Sequence, residues 1–498
     1  MGERLSLRRI KVNWIIGTLF GLIFVFLLTL RLGIWERDET GDRGAPAFHA
    51  LTLEDREIWM NIYQQEQKIG YVHRQIFKTL EGYKILESVF MQINTMGMMQ
   101  DLRFKTVGSL KPDLTLSSFD FELFSSLFRF KARGTLKDKT LTLSMASGTG
   151  PEQRLNLPLK KDIHLSVGLL EILSARDLKL GDSRTFTVFD PITATERSVK
   201  ILVVEEETIL VMDREERAKK VSVEFMGVSQ FAWIGKDGAA LKEEGPLGIR
   251  LEQVAKEEAL QKIAVLPGTD IAAFASIPSN RMIRSVDQLT ELKLTLTGVD
   301  ERVLSLEGDR QSFQDRFLII RKEPVSDLLS QRQAQKSSEE MKKYLEPTPF
   351  IQSDHPEIQA KVKEIISPND TMMVKARKLV EWVYKNLQKR PVLSVPNALE
   401  ILHHRVGDCN EHAMLLMALA RAAGIPAQME AGIVYQRGRF YYHAWNVLYF
   451  GAWVTADATM GQFPADVTHI RLVRGMERQI DLMRVIGRMK IDIEGYSR

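Results

Sequence analysis

A single cysteine, Cys409, in 498 residues is the tightest constraint on what this chain can build. One thiol allows no intramolecular disulfide, and neither a four-cysteine zinc site nor an iron–sulfur cluster can be assembled from the chain alone. The fold must stand on apolar cores, and 44% hydrophobic residues suffice to form them. The length exceeds one ordinary core, so about two or three domains are expected. A net charge of +4 supplies no basic field that would hold a nucleic acid, so no such partner is expected.

Residues 12–30 carry no charge, and Trp14 to Leu28 is almost wholly apolar. At ~1.5 Å per residue such a run can span a hydrocarbon core of about 30 Å. Arg4, Arg8, Arg9 and Lys11 precede it, whereas Arg31 and Arg37 beyond it are mixed with Glu36, Asp38 and Glu39. The positive-inside rule then puts the N-terminus in the cytoplasm. The expectation is a tail and single-pass transmembrane helix over residues 1–36 in the inner (cytoplasmic) membrane, with the C-terminal body extracytoplasmic, on the periplasmic side. A cleaved signal peptide ending near Ala45-Pro46-Ala47 is the rival reading, but that site lies well beyond the apolar run.

Residues 50–325 read as an antiparallel β-rich region, with a break into two subdomains near 255–285. Short β-branched or alternating segments recur between turn residues: Trp59 to Tyr63, Lys84 to Ile93, Val199 to Val204 and Thr208 to Met212. Asp237-Gly238, between 230–234 and 239–242, signals a two-residue hairpin. A helix is expected near 167–174 and a helical patch at 253–265. The β-leaning stretch 292–320 either completes the first sheet or forms its own. Residues 326–349, with Gln331, Gln333, Gln335, Pro347 and Pro349, read as a linker or exposed helix. Residues 350–498 form the last domain. In it Asp370 is expected to cap a helix with the apolar stripe Val374, Leu379, Val380, Val383 and Leu387.

The chemistry concentrates in that last domain. Gly407 permits a sharp turn, and residues 409–423 carry helix formers with a stripe at Ala413, Leu416, Ala420 and Ala423, stopped by Gly424 and Pro426. Cys409 is placed at the helix N-terminus, where orphan N–H groups and the helix dipole favour a thiolate. Taken alone, a small buried hydrophobe is an equal reading of a lone cysteine. Downstream, 441–449 and 453–457 read as two strands joined around Phe450. His443 and Asp457 lie symmetrically about Phe450, so simple register sets them nearly opposite on one face, where a carboxylate orients an imidazole.

Several linked motifs resemble the catalytic core of the bacterial transglutaminase-like superfamily over about residues 350–475. They are Gly407-Asp408-Cys409-x-Glu411-x-Ala413, then Ala420-Arg421-Ala-Ala-Gly424-Ile425-Pro426-Ala427, then His443-Ala444-Trp445-Asn446, then Trp453 and Asp457-x-Thr459. The resemblance implies an α+β, papain-like domain with Cys409 as nucleophile, His443 as base and Asp457 as orienting acid. Val447 stands where the family usually has glutamate, and Ala458 where it usually has proline. The Cys409 backbone N–H is the natural first oxyanion donor.

His403, His404, Cys409 and His412 can be drawn as a zinc set, but Cys409 and His412 are one helical turn apart and the pair at 403–404 falls in a turn, so no metal and no cofactor is expected. Trp382, Trp445 and Trp453 read as core aromatics, and Asn446 supports either the hairpin or the triad. The functional expectation is a membrane-anchored thiol enzyme that forms a thioester at Cys409 from a peptide or side-chain amide of the cell envelope and passes it to water. Transfer to an amine, giving cross-links, and a non-catalytic peptide-binding module are the alternatives.

Overall fold

Alternation of covered and uncovered side chains, such as that from Gln100 to Leu110, where every second residue is buried, fits extended chain with one face against a core. The computed structural model describes residues 53–64, 66–95, 98–125, 129–147, 152–170, 179–190, 195–225, 228–245, 248–263, 275–324, 338–392 and 397–498. The chain divides into two compact units, one ending at Thr269 and the other running Asp270–Arg498.

In the first unit the described strands are β1 (Arg56–Gln64), β2 (Gln67–Thr79), β3 (Gly82–Thr95), β4 (Met98–Leu110), β5 (Leu116–Ser125), β6 (Arg129–Lys137), β7 (Thr140–Ser147), β8 (Gln153–Pro158), β9 (Ser183–Asp190), β10 (Thr195–Val211), β11 (Arg214–Phe225), β12 (Val228–Gly235), β13 (Ala240–Glu244) and β14 (Ile249–Gln253). They form one sheet in the order β8 to β1, then β14 to β9, so two meanders meet where β1 pairs antiparallel with β14. The Asp237-Gly238 hairpin is present but its loop is longer than two residues. Gly235 N donates to Ala239 O at 2.9 Å, and the glycine that takes positive φ (+82°) is Gly238. A 3-10 turn at Ser166–Gly168 starts where a helix was expected, and residues 171–174 of that expectation lie outside the described residues. Of the helical patch expected at 253–265, the described part is one turn, α1 (Lys256–Ala259).

In the second unit β15 (Ile277–Pro278) leads into β16 (Glu291–Thr297), β17 (Gln311–Gln314) and β18 (Phe317–Arg321). The helices α2 (Ser338–Lys342), α3 (Pro356–Ile365) and α4 (Met372–Asn386) follow, then β19 (Gln388–Lys389), α5 (Ala398–His404), β20 (Val406–Gly407) and α6 (Cys409–Ala422). The chain ends in β21 (Ala427–Gln436), β22 (Arg439–Tyr449), β23 (Trp453–Ala456), β24 (His469–Arg474) and β25 (Lys490–Ser497). The stretch 292–320 forms its own sheet, β17-β18-β16-β25, completed by the C-terminal strand. A second sheet runs β15-β22-β21-β24, with β23 also on β22. Against these strands packs α6, whose residues from Glu411 to Ala420 are all buried because α3, α4 and α5 cover its other sides. The narrow stripe expected for it is therefore too small.

Two local expectations change. The α4 cap is Thr371, whose hydroxyl accepts from Val374 N. Asp370 accepts from Ser367 N and pairs with Lys378 at 2.7 Å, and Val374 is 41% exposed. The described part of 326–349 is docked: Tyr344 O accepts from Ala427 N, and its ring meets Trp453 edge-on at 5.2 Å.

The expected N-terminal transmembrane helix, and with it the single-pass inner-membrane location, is corrected. No helix among the described residues is long and apolar enough to cross a membrane. The longest described helix, α4, has 15 residues, about 22 Å at ~1.5 Å per residue against a core of about 30 Å, and it carries Lys375, Arg377 and Lys378. Residues 12–30, on which that expectation fell, lie outside the described residues.

Candidate active site

Cys409 is the first residue of α6, and the turn that delivers it is held from both sides. Asp408 Oδ1 accepts from Asn410 N at 2.9 Å, and Asp408 N donates to Glu411 Oε2 at 2.8 Å, a reciprocal capping box. Gly407 cannot be larger, because a Cβ there would lie 2.2 Å from Glu411 Cβ. Burial, and then the neighbouring Glu411 charge, push the Asp408 carboxyl well above the usual carboxylate range. The Cys409 Sγ faces it, 3.8 Å from Asp408 Oδ1. Cys409 is 0% exposed.

His443 sits mid-strand in β22 and is equally buried. Its Nε2 lies 2.8 Å from Asp457 Oδ2. Asn446, three residues on, donates to Ala413 O in α6 at 3.0 Å, which fastens the histidine strand to the cysteine helix. That contact gives Asn446 the bridging position left open in the sequence. Trp445 is a core aromatic as expected, with Nε1 donating to Glu430 Oε2 at 2.9 Å. Trp382 and Trp453 are only partly covered.

Asp457 accepts on both oxygens. Oδ1 takes Thr459 N at 2.7 Å and Met460 N at 3.1 Å. Oδ2 takes His443 Nε2 and, at 3.0 Å, His469 Nε2. Burial alone would raise this carboxyl, but the two imidazoles outweigh it and hold Asp457 well below the usual carboxylate range. His469, at the start of β24, was missed in the sequence. A signal was present in Asp466-Val-Thr-His469, where Asp466 Oδ1 accepts from Thr468 N in an Asx turn that launches the strand.

The zinc set drawn from the sequence is not gathered: His403 bonds Glu357 at 2.6 Å on the surface, and His412 Nδ1 lies 2.5 Å from Asp408 O. Burial lowers the His412 pKa to about 4, so its ring is neutral, and its Nε2 is buried with no partner. His443, Asp457 and His469 do bring three donor atoms within 4.8 Å of one another. Nε2 of each ring lies at hydrogen-bond distance from the same carboxylate oxygen, Asp457 Oδ2.

No curated protein matches the chain. Among solved structures, a candidate cysteine protease from Cytophaga hutchinsonii aligns at 16% identity and TM-score 0.26, covering 42% of this chain and 85% of that one. A β-barrel-like protein of a domain of unknown function from Brucella abortus aligns at 11% identity and TM-score 0.31, covering 40% and 95%. At these scores neither likeness defines a fold. The family model described as the transglutaminase-like superfamily matches residues 359–458, the span from α3 to just past Asp457, so the chain carries a transglutaminase-like domain there.

Proposed function

We propose that the second unit is a thiol enzyme that opens a peptide or side-chain amide through a thioester at Cys409 and delivers the acyl group to water. The observation that carries this reading is the buried 2.8 Å bond from His443 to Asp457 on a strand fastened to the Cys409 helix at Ala413. With Nε2 on Asp457, Nδ1 of His443 is the nitrogen assigned to exchange a proton with the thiol. The thiolate attacks the amide carbon, and the Cys409 backbone N–H serves as first donor to the developing oxyanion. The C–N bond breaks as His443 protonates the departing amine. Water then attacks the thioester, gives its proton to His443, and releases the acid and the thiolate.

The test is labelling with a thiol-reactive amide probe. Wild type should label and Cys409→Ser should not, and His443→Ala should label far more slowly. Because Cys409 is fully buried, labelling waits on an opening motion. Undiminished labelling in His443→Ala would overturn the assignment. Product that carries a supplied primary amine would replace hydrolysis with acyl transfer.

A further inference from the structure

We propose that His469 is a positioning residue for the Cys409 site, a buried imidazolium that shares the Asp457 carboxylate with His443 and sets the pH range in which the thiol reacts. This rests on the reading of Cys409, His443 and Asp457 given above.

Three observations carry it. Both ring nitrogens of His469 face acceptors: Nε2 meets Asp457 Oδ2 at 3.0 Å, and Nδ1 meets Asp466 O at 3.3 Å and Asp466 Oδ1 at 3.4 Å. An imidazole with an acceptor at each nitrogen satisfies both only when both carry protons. The ring is also fixed in place. It packs edge-on against Trp445 at 5.2 Å, and the loop before it is anchored by Arg310, which donates to Ala465 O, Asp466 O and His469 O at 2.8–3.1 Å. Asp466 is itself held by Thr468 Oγ1 at 2.6 Å and Gln462 Nε2 at 2.9 Å.

The third observation is charge. The groups facing His469 are Asp466 on its own turn, Asp457 after β23, His443 on β22 with ring centroids 5.8 Å apart, and Arg310, whose partner is Glu323 at 3.1 Å. Burial disfavours the imidazolium, but Asp466 and Asp457 overcome it and raise His469 to about 9. A cation on the far side of Asp457 divides the carboxylate between two N–H donors. Asp457 then orients the His443 ring without being basic enough to take its proton. The same cation lowers the cost of losing a proton at its neighbours.

Removing it should make those protons harder to lose. With one cysteine in the chain, alkylation by iodoacetamide reports Cys409 alone. The rate is measured against pH on the full chain, at reagent concentrations where it is first order in reagent. In His469→Gln the whole rate profile should move to higher pH by about one unit. An unmoved profile, with a rate that falls only as folded protein is lost, would overturn the proposal and leave the Cys409 reading standing. A wild-type profile that matches an ordinary thiol, near pH 8.5, and ignores His443→Ala would instead overturn that reading. Should His469→Gln not fold, the ring-15N spectrum of the His443→Ala chain at pH 8 decides: a persistent buried imidazolium supports the proposal, and its absence overturns it.

Discussion

His443 and Asp457 are bonded at 2.8 Å although they are not opposite one another in their hairpin. In the β22–β23 ladder Asn446 faces Ala456 and Tyr449 faces Trp453, so the turn centres on Gly451 and Asp457 follows on toward Trp445. The shift from a turn centred on Phe450 is two residues, which keeps both side chains on one face and makes the contact diagonal. Asp457→Asn tests what that contact does. An amide has one acceptor oxygen for the four donors that Asp457 now satisfies, and it carries no charge. The turnover or Cys409 labelling rate should fall on the order of 10²–10⁴-fold, with near-wild-type circular dichroism.

Asp408 separates capping from charge. Its carboxyl is pushed toward the protonated form by burial and by Glu411, while its Oδ1 caps the helix by accepting from Asn410 N. Asp408→Asn retains such an oxygen, whereas Asp408→Ala leaves the first turn of α6 without it. Chemical denaturation should show a loss of about 1 kcal/mol for alanine and clearly less for asparagine. Equal losses would show that the carboxyl charge carries the cap.

The His469 pKa has a thermodynamic consequence separate from catalysis. Its folded value of about 9 stands above the ordinary 6.5, so the folded state holds a proton that the unfolded chain releases. That stabilisation is fully present below pH 6.5 and is lost as pH rises through 9, by up to about 3 kcal/mol. Unfolding free energies measured between pH 6.5 and 9.5 should decline with pH in wild type and decline less in His469→Gln.

The parts of this protein legible in its sequence are those written by local pattern. Alternation marked parts of β1, β3 and β10, although the segments 199–204 and 208–212 prove to be one strand ending at Val211, and the glycine and apolar run at 407–426 marked the cysteine helix. Register parity alone was enough to put His443 and Asp457 on one face. The rest depends on contacts distant in the chain. His469 comes from β24, which pairs with β21 and not with β22 or β23, so no local spacing announces its contact with Asp457. Buried Glu430 gathers Arg471 at 3.2 Å and Arg474 from β24 and the Trp445 indole from β22, and no spacing within one segment announces it. Val374 and the α6 stripe failed for the same reason, since how many neighbours cover a helix is not written in its own periodicity.

Gly432 ties the sheet to the site and gives the sharpest packing test. It lies in β21 beside His443 on one side and, at a register shift, beside Arg471 of β24 on the other. A Cβ there would fall 2.0 Å from Ile470 O and 2.8 Å from Leu472 N, backbone atoms that cannot turn away. Gly432→Ala must therefore push β24 outward, and His469 is the first residue of that strand. Stability should fall by about 1–3 kcal/mol, read by thermal or urea unfolding. The variant should also lose Cys409 reactivity beyond its loss of folded protein, since the Asp457–His469 contact opens. Gly495, where a Cβ would meet nothing within 4 Å, is the control: Gly495→Ala in β25 should leave Cys409 reactivity unchanged.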